Sequence, residues 1–133
     1  MIHILLITHG QFASGILDAA TLIMGKQQGV EALALTEEDS IDELSIRLES
    51  SLDNLSVGCD GVLILVDIFG ASPCNVAAMS MVKFPNIDVV TGLNLPMLVE
   101  VLLQRSNLSL PELTRLAEKS GSEGIKTLRS LFS

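Results

Sequence analysis

The chain has 133 residues, of which 48% are hydrophobic, and a formal net charge of −8; this predicts one soluble, compact domain. No stretch of about 18 uncharged apolar residues occurs, which excludes a membrane-spanning helix, and no basic segment precedes the first apolar run, so we expect no secretory signal. The negative charge and the lack of Trp and Tyr argue against nucleic acid or an anionic membrane as partners. The two cysteines have no metal-type spacing, which indicates reduced thiols in a cytoplasmic protein.

Four short apolar runs alternate along the chain with segments of helical pattern. The runs are 2–7, 30–35, 62–66 and 87–91. They are nearly continuous in Val, Ile and Leu and do not alternate with polar residues. Such runs are typical of parallel strands that are covered on both faces.

The first two intervals between these runs have helix signals. Residues 13–24 are followed by Gly25, a residue type that commonly ends helices. Residues 40–43 match a capping box, and apolar residues then recur at helical spacing as far as Leu55. We therefore predict one helix in each interval.

Prolines mark the start of the later helices. Ser72 and Pro73 predict an N-cap followed by proline at the first helical position, opening a helix to about residue 83. Pro96 opens a helix over 97–103, and a further helix begins at residues 109–112 and stops near Gly121.

The last twelve residues carry Ile125, Leu128 and Leu131, a spacing that suits a helix but also leaves a short edge strand open. The whole pattern predicts an α/β fold. We expect an open, doubly wound, mainly parallel sheet of four strands with helices on both faces, and a fifth antiparallel strand at the C-terminal edge as an alternative to a last helix. One domain spans residues 1–133.

Ligands of open α/β sheets bind beyond the carboxyl ends of the strands. Three of the predicted strands end in polar residues or glycine, at residues 8–10, 67–73 and 92–96. If the first, third and fourth strands are neighbours, these segments converge. The convergence predicts a site at this edge of the sheet.

His9 is the candidate nucleophile of this site. A neutral imidazole can attack through one ring nitrogen when an acceptor holds the proton on the other, and Asp67 could be that acceptor. Backbone N–H groups of Gly70 and Ala71 and the hydroxyl of Ser72 would face an incoming anion, with a helix N-terminus behind them. A nucleophile, an orienting group and an anion cradle are the parts that a phosphohistidine site needs.

Each of these residues also has an alternative interpretation. A histidine after a strand can be a loop or capping residue, Asp67 could cap a turn, and Ser72 could cap a helix. Asn94 could be a turn residue. We interpret His3, at the start of the first strand, as structural.

Other kinds of site fit the sequence less well. A zinc site needs several ligands together, and the two histidines lie at opposite ends of one strand. Thr8 precedes His9 where a histidine phosphatase-type site would need arginine, and neither a P-loop nor a GxGxxG motif occurs. We expect no cofactor, no metal and no nucleotide as phosphoryl donor in this domain.

The segments 7–10, 65–75, 92–100 and 121–125 point to a known family. In these four segments, the chain resembles the IIA component of the mannose/sorbose (mannose/fructose) family of the bacterial phosphoenolpyruvate-dependent sugar phosphotransferase system. The likeness covers essentially the whole chain in the same order and spacing.

The resemblance implies a set of roles and partners. His9 would be phosphorylated by the phosphocarrier HPr and would pass the group to a IIB component, with Asp67 orienting the histidine and Ser72 helping to bind the phosphoryl group. It also implies a homodimer that exchanges a C-terminal edge strand. Phe69 stands where relatives often carry Trp, and no IIB domain follows, so we expect the IIB component on a separate polypeptide.

We also predict an apolar rim around His9 for partner docking, with Phe12, Phe69 and Met97 as candidates, although Met97 could equally be helix core. Further candidate lining residues of the site are Thr8, Gly10 and Asn94.

The expected function is a phosphohistidine carrier in sugar uptake that serves membrane permease components indirectly. One alternative is the related subunit that supplies phosphoryl groups to a dihydroxyacetone kinase. The other is a regulatory module that senses phosphorylation through His9.

Overall fold

The four predicted strands form one sheet in the computed structural model, which describes residues 1–132. The strands are β1 (His3–His9), β2 (Val30–Leu35), β3 (Val62–Val66) and β4 (Ile87–Val90). All pairings are parallel, and the spatial order is β2-β1-β3-β4. The predicted fold class is confirmed.

Helices cover both faces of this sheet. They are α1 (Phe12–Met24), α2 (Ile41–Leu55), α3 (Ser72–Ser80), α4 (Leu95–Gln104), α5 (Leu110–Glu123) and α6 (Leu128–Leu131). The side chains of α1, α4 and α5 pack on one face, and those of α2 and α3 pack on the other. Within residues 1–132, none of the helices has the length and apolar character that crossing a bilayer requires.

The two faces of β1 explain its uninterrupted apolar run. Ile4 and Leu6 lie in the core shared with α1, α4 and α5, whereas Leu5 and Ile7 lie in the core shared with α2 and α3. Successive side chains of a strand point to opposite faces, so a strand between two helical layers must be apolar at every position.

The predicted start and end of α3 are wrong. Ala71, not Ser72, is the N-cap, and Ser72 is the first helical residue; within residues 1–132, no side chain caps this helix. The helix ends at Ser80 and not near residue 83. The first turn of a helix leaves its N–H groups unpaired, so Pro73 fits the second helical position as well as the first, and the sequence does not distinguish the two.

The C-terminal segment forms a single helical turn, α6, and no strand occurs over residues 125–132. Of the two alternatives left open by the sequence, residues 1–132 therefore show the last helix and not the fifth strand. A strand needs a neighbouring backbone for its hydrogen bonds. Among the residues that the structure describes, the edge strand β4 pairs only with β3.

Candidate functional site

The sheet order brings the predicted site segments together. In the sheet, β1 has β2 on one side and β3 on the other, and β4 lies beyond β3, so β1, β3 and β4 are neighbours. The N–H of Gly92 donates to the carbonyl of Asp67 at 3.1 Å, which joins the end of β4 to the end of β3. The predicted convergence of these strand ends is confirmed, and it lies where open α/β sheets bind ligands.

His9 and Asp67 are in direct contact across this edge. Nδ1 of His9 lies 2.8 Å from Oδ2 of Asp67, and the same oxygen accepts the backbone N–H of His9 at 2.9 Å. The carboxylate can only accept hydrogen bonds, so it places the ring proton on Nδ1. Nε2, which makes no hydrogen bond within residues 1–132, keeps a free electron pair on a side chain that is 47% exposed.

Asp67 stays ionised in this environment. Its partial burial alone would raise its pKa, but the hydrogen bonds from the backbone N–H of His9, the His9 ring and the backbone N–H of Ile68 outweigh this effect and lower the pKa below the ordinary value. The carboxylate side chain is 11% exposed. A fixed, negative acceptor therefore stands behind the histidine ring.

Two neighbours of His9 hold the end of β1 in place. The hydroxyl of Thr8, which is fully buried, accepts the N–H of Ala13 at 2.8 Å and so ties the first turn of α1 to β1. Gly10 has a φ of +54°, a backbone conformation that favours glycine, and its N–H donates to the carbonyl of Leu35 at 2.8 Å. Thr8 and Gly10 thus position the histidine between two anchored segments.

The predicted anion cradle lies in the loop that joins β3 to α3. Within residues 1–132, the N–H groups of Gly70, Ala71 and Ser72 make no backbone hydrogen bond, and the side chain of Asn75 closes the loop by donating to the carbonyl of Gly70 at 3.1 Å. Unpaired N–H groups at a helix N-terminus suit an anion. No hydrogen bond joins His9 to Ser72 in the described part of the chain, so the phosphoryl-binding roles of Gly70, Ala71 and Ser72 stay predictions.

The apolar rim differs from the predicted one. Phe69 is 82% exposed and Phe12 is 44% exposed, as a docking surface requires. Met97 is only 3% exposed and lies in the core, so its predicted place on the rim is wrong. Ile68, which the sequence analysis missed, is 60% exposed beside Phe69.

Asn94 acts as a helix cap. Its side-chain oxygen accepts the N–H of Met97 at 3.0 Å, and its amide nitrogen donates to the carbonyl of Gly121 at 3.0 Å. The amide therefore fixes the start of α4 against α5, and we assign it a structural role.

A recess beside His9 was also missed. It has a volume of about 470 Å³ and is lined by His9, Gly10, Leu35, Thr36 and Glu37; we call it the His9 recess. The sequence predicts site segments after β1, β3 and β4, although the rule of strand ends applies to the segment after β2 as well. His3, at the other end of β1, directs Nδ1 to the carbonyl of Leu55 at 2.6 Å, in keeping with a structural role.

Comparison with known proteins agrees with the resemblance. The model of the EIIA-man family, described as the PTS system fructose IIA component, matches residues 3–118. The mannose-specific EIIAB component of Escherichia coli (strain K12) is 35% identical over 124 residues, which are 92% of this chain and 38% of that protein. The chain thus spans about two fifths of the length of that relative.

Relatives of similar length agree in sequence and in structure. The fructose-specific EIIA component of Bacillus subtilis (strain 168) is 32% identical over 113 residues, 85% of this chain and 77% of that protein. The crystal structure of the phosphotransferase system component EIIA from Streptococcus agalactiae matches with a TM-score of 0.89 and 30% identity, over 98% of this chain and 99% of that one.

Proposed function

Because the chain belongs to the EIIA-man family of sugar phosphotransferase system IIA components, we propose that it is a phosphohistidine carrier in the cytoplasm. His9 accepts a phosphoryl group from HPr and passes it to a IIB component during sugar uptake, so that the protein serves the membrane permease components without binding the sugar. The observation that carries this proposal is the contact of 2.8 Å between Nδ1 of His9 and Oδ2 of Asp67, which leaves Nε2 free to attack.

The transfer has two steps of the same kind. In the first, Nε2 of His9 forms a bond to phosphorus while the bond from phosphorus to HPr breaks, and the electron pair of the broken bond stays on HPr. The phosphorylated ring is cationic because the proton remains on Nδ1, and the adjacent carboxylate of Asp67 stabilises that charge. In the second step, the bond between Nε2 and phosphorus breaks, its electron pair returns to Nε2, and phosphorus bonds to the IIB component.

The test is phosphorylation of the intact protein. We expect incubation with phosphoenolpyruvate, enzyme I and HPr to add one phosphoryl group, measured by mass spectrometry, and the group to be lost in acid and retained in base. Phosphorus NMR should assign the phosphoryl group to Nε2, because Nδ1 carries the proton that is hydrogen-bonded to Asp67. A chain that gains no phosphoryl group, or gains it on Nδ1, would contradict the proposed chemistry.

We expect Phe69→Ala to slow transfer from HPr about tenfold, since exposed aromatic residues often carry the binding energy of an interface. Thermal stability should stay unchanged because the ring is 82% exposed. Val82→Ala is the matched control, since Val82 is 89% exposed but follows the end of α3, away from the strand ends. Equal transfer rates for Phe69→Ala and wild type would remove this residue from the docking surface.

We further propose that two copies of the chain associate through the C-terminal segment. Ile125, Leu128 and Phe132 are 79%, 69% and 85% exposed, and within residues 1–132 β4 has a neighbouring strand on one side only. Both features support exchange of this segment between copies. Light scattering at micromolar concentration should report the mass of two chains of 14.2 kDa. A monomer under these conditions would show that the exposed segment does not mediate association.

A further inference from the structure

The loop between β3 and α3, residues 67–71, is attached to His9 at its start. Oδ2 of Asp67 accepts the backbone N–H and the ring Nδ1–H of His9, and Oδ1 of the same carboxylate accepts the N–H of Ile68 at 2.9 Å. One carboxylate thus holds both the histidine ring and the first peptide group of the loop. The position of the loop relative to His9 is therefore fixed at this end.

Asn75 holds the other end of the loop through two hydrogen bonds. Its side-chain Nδ2 donates to the carbonyl of Gly70 at 3.1 Å, and its backbone N–H donates to the carbonyl of Ala71 at 3.0 Å. A trans peptide group is planar, and its C=O and N–H point in opposite directions. The N–H groups of Ala71 and Ser72, which belong to these two peptide groups, therefore point away from Asn75. Neither N–H has an acceptor within residues 1–132.

The side-chain contact of Asn75 acts on the loop and not on the helix. α3 begins with the backbone hydrogen bond between Asn75 and Ala71 whether or not the side chain is present. Gly70 has a φ of +84°, and a glycine adopts several backbone conformations at little cost. The Asn75 side chain is exposed, so it does not contribute to the core. What its amide does is fix the peptide group that follows the most flexible residue of the loop.

The charge of the site makes the direction of these N–H groups important. The segments that follow the four strands contain no lysine or arginine; they are residues 10–11, 36–40, 67–71 and 91–94. Asp67 places a negative charge beside His9, and a phosphoryl group brings more. Backbone N–H groups that already point at a developing negative charge stabilise it without reorganisation, and this effect depends on their orientation.

We propose that Asn75 is a positioning residue for phosphoryl transfer at His9. By holding the carbonyl of Gly70, its amide directs the N–H of Ala71 at an oxygen of the phosphoryl group, both when the group arrives and when it leaves. Asn75 acts through the loop and does not itself contact the phosphoryl group. This inference rests on the proposed function, with HPr as the donor.

Single-turnover phosphorylation over a range of phosphorylated HPr concentrations tests this role. We expect Asn75→Ala to lower the rate at saturating donor about tenfold. The donor concentration that gives half of this rate should stay close to wild type, because the loop acts on transfer and not on docking. Removal of an oxyanion-hole donor costs about 10²–10³ in kcat in a protease, and the loss here should be smaller because the N–H remains and only its orientation is freed. Asn75→Gln keeps a donating amide and should recover part of the rate.

Asn86→Ala is the matched control. Nδ2 of Asn86 donates to the carbonyl of Asp60 at 3.0 Å, and the side chain is exposed like that of Asn75. Both residues precede strands, β4 and β3, so this contact lies at the end of the sheet opposite to His9. The two alanine variants each lose one exposed amide–carbonyl hydrogen bond, so their Tm values should fall alike. Only Asn75→Ala should be slow at saturating donor.

The amide proton of Ala71 gives a second readout, by proton–nitrogen NMR. In wild type, its resonance should move downfield when His9 is phosphorylated, since the N–H then gains a phosphoryl oxygen as acceptor. The movement should be smaller in Asn75→Ala, because the peptide group no longer has one fixed orientation. A change in stability alone would not reduce it.

The outcomes separate this inference from the proposed function. If HPr phosphorylates wild type and Asn75→Ala equally fast at saturation, or the Ala71 resonance does not move on phosphorylation, the positioning role is wrong and the carrier function stands. If Asn75→Ala raises only the donor concentration for half-maximal rate, Asn75 contacts the donor and the inference is overturned. Equal slowing in Asn86→Ala also overturns it. A wild-type chain that HPr does not phosphorylate contradicts both the inference and the proposed function.

Discussion

His9→Ala should abolish phosphorylation by HPr completely while the protein folds as before. In the proposed mechanism Nε2 of His9 receives the phosphoryl group, and alanine offers no replacement. The side chain is 47% exposed and its ring contacts Asp67 through one hydrogen bond of 2.8 Å, so its removal leaves the core unchanged. Mass spectrometry of the intact variant after incubation with phosphoenolpyruvate, enzyme I and HPr should find only the unmodified chain.

His3→Gln is the matched control for this experiment. His3 is the other histidine of the chain, and its Nδ1 lies 2.6 Å from the carbonyl of Leu55, a bond that a glutamine amide can also donate. This variant should be phosphorylated like wild type. Phosphorylation of His9→Ala, or its loss in a folded His3→Gln, would show that His9 is not the acceptor.

The strands could be predicted from their apolar runs, and the position of the site could be predicted from the rule that ligands bind at the carboxyl ends of parallel strands. A strand buried on both faces is apolar along its buried length, as residues 4–7 of β1 and the whole of β3 are, and parallel strands place their carboxyl ends at one edge. His9 and Asp67, which lie far apart in sequence, were therefore predictable neighbours. The rule for strand ends pairs them once β1 and β3 are neighbours, a condition that the sequence left open and the sheet order meets.

The burial of Arg105 and Met97 depends on tertiary contacts that no local pattern encodes. Arg105 follows a helical pattern, where a cation usually faces solvent near the helix C-terminus. In the structure it is 3% exposed and donates to the carbonyl of Gln28 at 2.6 Å; burial lowers its pKa. For Met97 the sequence left both the rim and the helix core open, and the structure places it in the core, where its side chain lies close to Gly121 on α5.

Asp67→Asn should slow phosphorylation of His9 by more than about tenfold, because the amide cannot reproduce the carboxylate's contacts. Oδ2 accepts two hydrogen bonds from His9, and Oδ1 accepts the N–H of Ile68 at 2.9 Å. If the NH₂ group takes the position of Oδ2, it donates to Nδ1, and the ring proton moves to Nε2, where it blocks attack. If it takes the position of Oδ1, it faces the N–H of Ile68, a contact between two donors.

The expected size of this effect lies between two limits. The same change costs about 10⁴ in kcat in a serine protease triad, where the buried histidine is locked in the wrong tautomer. The loss here should be smaller, because the ring of His9 is 47% exposed and can reorient with water as its partner. The variant also lacks the negative charge that stabilises the cationic ring formed during transfer, so the rate stays low when the donor is saturating.

The cost in stability should be modest, on the order of 1 kcal/mol for one lost hydrogen bond. It should also depend on pH. The folded state lowers the pKa of Asp67 below its ordinary value of 3.8, so the stability that its charged form contributes is present above that value and is lost as the pH falls through the lowered pKa. The difference in Tm between wild type and Asp67→Asn should therefore shrink in acid.

Single-turnover phosphorylation by saturating phosphorylated HPr, with thermal melting in parallel, tests the role of Asp67. Asp88→Asn is the matched control, because Oδ1 of Asp88 accepts the N–H of the next residue, Val89, at 2.8 Å, as Asp67 does with Ile68, but has no histidine partner. Both variants should lose some stability, and only Asp67→Asn should be slow at saturation. If Asp67→Asn is phosphorylated at the wild-type rate, Asp67 only caps a turn. If both variants are slowed equally, the slower rate comes from a disturbed fold and not from the lost contact with His9.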